Sequence, residues 1–130
     1  MMLLDLPKRI KDAFEGKLIR QNRKGGLTMS VIELTQENYQ KEVIESDRPV
    51  LIDFFATWCG PCTMVSPVVD EIAVEHPEIK VCKLDVDRNM DLARTFQVMS
   101  VPTLVAMKDG QVINKTIGAA SKANILKMFA

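Results

Sequence analysis

The feature that most constrains the fold is the run Val50-Leu51-Ile52-Asp53-Phe54-Phe55-Ala56, in which one carboxylate interrupts six apolar residues. A strand whose two faces are both covered is apolar almost throughout, because neither face meets water. The run therefore predicts a central strand with helices on both sides. It also places Asp53 where a charge is costly, since burial of an unpaired carboxylate costs several kcal/mol.

The segments around this strand alternate between strand and helix patterns. Further strands are predicted over residues 31–34, 79–86, 103–107 and 111–117. Helices are predicted over residues 35–45, 59–76, 89–96 and 121–129, the first of them capped by Thr35. Asp109-Gly110 lies between the last two strands and predicts a hairpin. The order predicts an α/β fold in which about four helices flank a mixed sheet of about five strands.

The chain is long enough for one domain with its own core. It has 130 residues, of which 47% are hydrophobic and 26% charged, and this composition excludes disordered and coiled-coil classes. Basic and acidic residues balance at 17 each, so no nucleic-acid partner is predicted. No run approaches the roughly 18 apolar residues of a membrane-spanning helix.

The charge balance hides two unlike segments. Residues 1–28 hold seven basic and three acidic side chains, a net of +4, whereas residues 29–130 hold ten and fourteen, a net of −4. The first segment also has the apolar spacing of an amphipathic helix that starts at Pro7, followed by a Gly25-Gly26 linker. We expect a domain over residues 29–130 and an N-terminal extension that is a passive leader, docks on the domain, or contacts a partner or membrane.

Three cysteines, Cys59, Cys62 and Cys82, are too few for the disulfide framework of a small secreted protein. The first residues also lack the basic segment and uninterrupted apolar stretch of a secretory signal. Both observations favour a reducing compartment, and we expect a cytoplasmic protein. Cys82 has apolar neighbours and is expected to be a buried, inert thiol, with a regulatory thiol as the alternative.

The Cys59-Gly60-Pro61-Cys62 segment carries the predicted chemistry, because it lies where the buried strand leads into a helix. Unpaired N–H groups and the positive end of the helix dipole favour a thiolate at Cys59. A thiolate is the attacking species in disulfide exchange. Cys62 follows one turn later, where we expect it to be less exposed and able to resolve a mixed disulfide.

Two alternatives exist for this spacing, an incidental cysteine pair and a zinc site built from the three cysteines and His76. His76 stands at the far end of the predicted helix, about fourteen residues and ~20 Å from the cysteines at 1.5 Å per residue. It cannot share a metal with the cysteine pair, so no metal is predicted. Disulfide exchange needs only two sulfurs, so no cofactor is predicted either.

Two further residues are candidates for the same site. Asp53 is predicted to have a raised pKa and to exchange a proton with a nearby thiol, unless it lies solvated at the strand end. Lys83, on the next strand, is its candidate partner. Pro102 begins a strand, where an X–Pro bond tolerates the cis form.

The sequence resembles the thioredoxin family from about residue 31 to residue 129, in motifs that keep the family's order. These are Trp58-Cys59-Gly60-Pro61-Cys62 after the apolar run, Lys83-Leu84-Asp85-Val86-Asp87, Ser100-Val101-Pro102-Thr103-Leu104, and Asp109-Gly110 before Gly118. The resemblance implies a thioredoxin fold in which Cys59 is the nucleophile and Cys62 the resolving thiol. It also implies that Asp53 assists Cys62, and that Pro102 is a cis proline in the substrate groove. Trp58, Gly60, Pro61, Val101 and Gly118 match the rest of that surface.

The same resemblance implies a monomeric reductase of protein disulfides, recharged by an NADPH-dependent thioredoxin reductase. Two alternatives stay open: a binding subunit that uses the groove without redox turnover, and a thiol oxidase or isomerase of the same fold. The chain departs from the family pattern at Phe55, where many relatives have tryptophan, and at Thr63, where a lysine or arginine is common. Loss of a cation beside Cys59 is expected to raise the pKa of its thiol.

Overall fold

The computed structural model describes residues 31–130. The predictions made for residues 1–28, an amphipathic helix, a linker and a docking role, lie outside the described residues. Five strands form one sheet in the order β1-β3-β2-β4-β5. They are β1 Ile32–Glu33, β2 Val50–Phe55, β3 Lys80–Asp85, β4 Thr103–Lys108 and β5 Gln111–Ile117.

The sheet is mixed, as predicted. Strands β1, β3 and β2 pair in parallel, whereas β4 pairs antiparallel with both β2 and β5. The turn between β4 and β5 is the predicted Asp-Gly turn, and Asp109 and Gly110 have φ of 54° and 77°. Two consecutive positive φ angles are the requirement of the turn that suits a two-residue hairpin.

Strand β2 lies at the centre of the sheet and is buried on both faces, which explains its apolar run. Leu51 packs with side chains of helix α1, Gly60–Glu75, and of helix α3, Lys122–Lys127. Val50, Ile52 and Phe54 pack on the opposite face against helix α2, Met90–Thr95, and the segment before β2. Each of these four β2 side chains is at most 1% exposed.

The predicted helix over residues 35–45 is confirmed only in its second half, and there it is not an α-helix. Thr35 does accept a hydrogen bond from the Asn38 amide, and the Asn38 side chain accepts one from the Thr35 amide, as in a helix cap. The residues that follow form a turn and then a π-helix, Gln40–Ile44, closed by the Glu45 amide bonding to the Gln40 carbonyl at 3.0 Å. Within residues 31–130, the four predicted helices are thus three α-helices and one π-helix.

The remaining elements occur where the sequence predicts them, with ends shifted by one or two residues. The first strand and the last helix are the most shortened, since they span Ile32–Glu33 and Lys122–Lys127. Over residues 31–130, no helix combines the length and apolar character needed to cross a membrane.

Candidate active site

The two cysteines of the Cys-Gly-Pro-Cys segment meet where β2 leads into α1. Cys59 and Cys62 form a disulfide, with their Cα atoms 5.4 Å apart. Cys59 is the N-cap residue of α1, and its Sγ accepts a hydrogen bond from the Cys62 amide at 3.2 Å. The helix therefore directs an unpaired N–H group and its positive dipole end at the first sulfur, an arrangement that stabilises a thiolate there.

An apolar collar surrounds the pair. Ala56 is buried with the two cysteines, and Phe55, Val86 and Val101 pack against this cluster. Each cysteine is only 5% exposed, so the expectation that Cys62 is less exposed than Cys59 is wrong for the disulfide form. The α1 N-terminus brings both sulfurs under the collar together.

The predicted groove residues gather beside this cluster. Trp58 is 71% exposed, and its indole N–H donates to an Asp87 carboxylate oxygen at 2.9 Å. The Val101–Pro102 bond is cis, as proposed from the sequence. The Gly118 amide donates to the Pro102 carbonyl at 2.8 Å, which joins the start of β4 to the end of β5. An exposed aromatic side chain and two anchored backbone segments thus border the disulfide.

Asp53 lies in the middle of β2 and is 1% exposed, so the alternative of a solvated strand end is wrong. Its Oδ1 atom has no hydrogen-bond partner among the described residues. Burial raises the pKa of this carboxyl from 3.8 to about 6, the positive charge of Lys83 lowers that pKa, and the negative charge of Asp70 raises it. A carboxyl with a pKa near neutrality can both accept and donate a proton under cellular conditions.

Lys83 is next to Asp53 in the parallel register of β2 and β3, and its charge lowers the pKa of Asp53, but no salt bridge or hydrogen bond joins the two side chains. The Lys83 ammonium instead donates to the Ser66 hydroxyl and pairs with an Asp70 carboxylate oxygen at 3.0 Å. Ser66 and Asp70 were missed by the sequence analysis. Their spacing of four residues, which places both on one side of α1, is the pattern that identifies them in retrospect.

Comparison with known proteins decides the family. The thioredoxin family profile matches residues 30–130. A thioredoxin of Mycobacterium tuberculosis is 50% identical over 99 residues, which cover 75% of this chain and 85% of the relative. A thioredoxin of Mycolicibacterium smegmatis is 45% identical over 101 residues, covering 75% and 90%. This chain belongs to the thioredoxin family.

A third relative in the thioredoxin family is longer. The bifunctional thioredoxin reductase/thioredoxin of Mycobacterium leprae is 48% identical over 97 residues, which cover 74% of this chain and 21% of that protein. Family membership and a Cys59–Cys62 pair joined as a disulfide make this protein a thiol–disulfide oxidoreductase that acts on protein disulfides.

The two departures from the common thioredoxin pattern have defined environments. Thr63, in place of a cation, donates its hydroxyl hydrogen bond to the Gly60 carbonyl at 2.6 Å within the first turn of α1. Phe55, in place of a tryptophan, packs in the collar around the cysteines. The site thus has no cationic side chain at position 63 to add to the helix dipole.

The third cysteine and the histidine lie elsewhere in this thioredoxin-family fold. Cys82 is in β3 and fully buried among apolar side chains, and burial raises the pKa of its thiol to about 12. His76 caps the far end of α1 and lies 3.0 Å from a Glu78 carboxylate oxygen. Within residues 31–130, no cluster of three or more His, Cys, Asp or Glu side chains is arranged to hold a metal ion.

Proposed function

We propose that this protein is a reductase of protein disulfides that receives its electrons from an NADPH-dependent thioredoxin reductase. The observation that carries the proposal is the position of Cys59 as the N-cap of α1, with the Cys62 amide 3.2 Å from its Sγ. When the disulfide is reduced, the same N–H group stabilises a Cys59 thiolate, which is the nucleophile that disulfide exchange requires.

The reaction transfers two electrons from the dithiol to the substrate. The Cys59 thiolate attacks one sulfur of the substrate disulfide, which forms a mixed disulfide and releases the other substrate sulfur as a thiolate. Cys62 then loses its proton and attacks Cys59 Sγ, which breaks the mixed disulfide and releases the second substrate thiolate. The protein is left with the Cys59–Cys62 disulfide.

Asp53 is the proton acceptor for Cys62 in this scheme. A buried carboxyl with a pKa of about 6 is mostly ionised at neutral pH and remains a stronger base than an ordinary aspartate. In the return reaction, in which the protein is reduced again, the same carboxyl gives the proton back. Replacing Asp53 with Asn is expected to slow resolution near neutral pH, and an unchanged rate would remove Asp53 from the mechanism.

Recharging by a thioredoxin reductase is supported by the name of the Mycobacterium leprae relative, which joins a thioredoxin reductase and a thioredoxin in one chain. The proposal includes a monomeric protein in a reducing compartment, the cytoplasm. The small number of cysteines supports that compartment, since the reactive pair leaves only the buried Cys82.

A Cys62→Ser variant tests the assigned roles. Serine at position 62 cannot attack the mixed disulfide, so reduced variant incubated with a disulfide-containing protein should accumulate a stable covalent complex through Cys59. Mass spectrometry identifies the linked cysteine. A Cys59→Ser variant is the matched control and should trap nothing. A complex trapped through Cys62 in the Cys59→Ser control, or no trapped complex in either variant, would contradict the assignment.

The direction of the reaction is tested by the redox potential of the Cys59–Cys62 couple against glutathione. A reductase needs a potential at or below the cytosolic poise, whereas a value well above it would indicate an oxidase or isomerase. The alternative of a redox-independent binding subunit is tested by replacing both cysteines with serine. Biological activity retained in that double variant would favour the binding subunit.

A further inference from the structure

Asp53 and Lys83 are neighbours on one face of the sheet, yet no salt bridge joins their side chains. They are opposite each other in the register of β2 and β3, and the residue opposite Asp53 on the other side is Leu104 of β4. Side chains at alternate positions of a strand share a face. Leu51 and Val81, two residues before Asp53 and Lys83, pack against α1, so Asp53 and Lys83 also lie under α1.

Helix α1 supplies both groups that hold the Lys83 ammonium. Ser66 accepts its hydrogen bond, and Asp70 pairs with it at 3.0 Å. The Asp53 Oδ1 atom, buried beside this lysine, has no hydrogen-bond partner in residues 31–130. An unpaired buried carboxylate oxygen is costly, and a lysine on the adjacent strand is the natural group to satisfy it. The contacts from α1 therefore oppose the pairing that the sheet register favours.

We propose that Ser66 and Asp70 are positioning residues that hold the Lys83 ammonium on α1 and away from Asp53, so that the Asp53 carboxylate stays free to exchange a proton with Cys62. The inference rests on the proposed role of Asp53 and deepens it. A carboxylate bound by the ammonium would be a weaker base, because a nearby opposite charge favours its ionised form.

The charged groups around Asp53 are few. Strand β3 contributes Lys83, α1 contributes Asp70, and β4 contributes the apolar Leu104. Helix α3, which packs on the same face, carries Lys122, and this lysine is paired with Glu71 and Glu75 at 2.9 Å each. The Lys83 ammonium is therefore the cation that decides how basic Asp53 is.

The test measures the Asp53 titration directly, by carbon NMR of its carboxyl group in the oxidised protein, where the two cysteines do not titrate. Ser66→Ala changes no charge but removes the hydroxyl that holds Lys83. Both Ser66→Ala and Asp70→Asn should lower the pKa of Asp53, by roughly one unit, because the ammonium then turns to Asp53. Ser66→Thr keeps a hydroxyl and should restore the original value.

Two further variants separate positioning from simple electrostatics. Glu71→Gln makes the same charge change one residue away, next to Lys122, and should leave the Asp53 titration unchanged. In a Lys83→Met background, Ser66→Ala should have no effect. An Asp53 titration that is unmoved by Ser66→Ala, or moved equally with and without Lys83, would overturn the proposal.

The kinetic readout is the pH profile of mixed-disulfide resolution. In Ser66→Ala, the acidic limb of the rate profile should move to lower pH, since the Asp53 carboxyl with a lower pKa is ionised at lower pH. The resolution rate at neutral pH should fall several-fold, because the weaker base accepts a proton from Cys62 less readily. Failure of the proposed Asp53 role looks different. In that case Asp53→Asn would leave the resolution rate unchanged, whereas the NMR titration would still respond to Ser66→Ala.

Discussion

The buried carboxyl of Asp53 serves the proposed proton transfer but lowers the stability of the folded protein when it is ionised. Its pKa is 3.8 when unperturbed and about 6 in the folded protein, because burial disfavours the charged form. The Asp53 carboxyl therefore binds its proton more tightly in the folded protein than in the unfolded chain. The stability associated with the neutral carboxyl is fully present below about pH 4 and is lost as the pH rises through 6.

The Asp53→Asn variant should accordingly be more stable than the original protein at neutral pH. Asparagine has the shape of the neutral acid and no charge, so we expect the free energy of unfolding to rise at pH 7.5 by about 3 kcal/mol, the equivalent of a shift of roughly two pKa units. Urea unfolding at pH 7.5 and at pH 4 measures the difference. The gain should nearly vanish at pH 4, and an equal gain at both pH values would show that the charge of Asp53 is not its source.

Cys82 illustrates the opposite case, a thiol without a reactive environment. It is fully buried in β3, and burial raises the pKa of its thiol to about 12, so almost no thiolate is present near neutral pH. In the reduced native protein, iodoacetamide should alkylate Cys59 and leave Cys82 unmodified until denaturant is added. Peptide mass spectrometry locates the label. Rapid native labelling of Cys82 would support the regulatory-thiol alternative instead.

At the scale of elements, two glycines near the disulfide differ in the backbone they must adopt. Gly118 directly follows β5 and has a φ of +93°, whereas Gly60 begins α1 and has no such angle; a Cβ added at either position meets no atom within 4 Å. Alanine should therefore cost about 1–2 kcal/mol at position 118, from backbone strain alone. At position 60 alanine should raise the free energy of unfolding by about 0.5 kcal/mol, because it reduces the conformational entropy of the unfolded chain.

Urea unfolding of the two oxidised alanine variants checks this pair. Each variant adds the same methyl group in open space, so each is the control for the other. Equal changes in the free energy of unfolding would show that side-chain packing, and not backbone conformation, dominates at these positions.

The elements that the sequence predicts correctly are those that local chemistry decides. The apolar run 50–56 predicts a central strand, Asp109-Gly110 predicts a hairpin, and Cys59 was placed at the start of a helix that it caps. The π-helix Gln40–Ile44 was not predicted, since the residues before it form hydrogen bonds with residues that are distant in the sequence. The Gln36 amide donates to the Asn89 side chain at 3.1 Å, which is 53 residues away.

The site residues, too, were predictable where neighbours in sequence decide their environment and unpredictable where distant contacts decide it. Cys59 and Cys62 are neighbours in sequence, so their pairing was predictable, and so was the burial of Asp53 within its apolar strand. The partners of Lys83 were not predictable, because they depend on how α1 lies across the sheet. The position of Lys83 on the next strand suggested Asp53 as its partner, whereas its ammonium contacts Ser66 and Asp70 of the helix.

At the scale of the whole chain, the zero net charge describes neither segment. The net charge is +4 over residues 1–28 and −4 over residues 29–130. The thioredoxin family profile begins at residue 30, so the chemistry described above belongs entirely to the acidic segment. The sheet, its helices and the disulfide described above lie in the same segment.

Deletion of residues 1–28 tests whether the acidic segment is a complete domain. Since the family profile matches residues 30–130 and the disulfide site lies within them, the shortened chain should unfold at the same urea concentration and reduce insulin disulfides at the same rate, within twofold. The basic segment is assayed separately, by sedimentation of the full chain and the shortened chain with anionic and neutral lipid vesicles. Binding of the full chain to anionic vesicles alone would identify a membrane contact, because lysine and arginine are attracted to an anionic surface. A shortened chain that unfolds at lower urea would show instead that residues 1–28 dock on the domain.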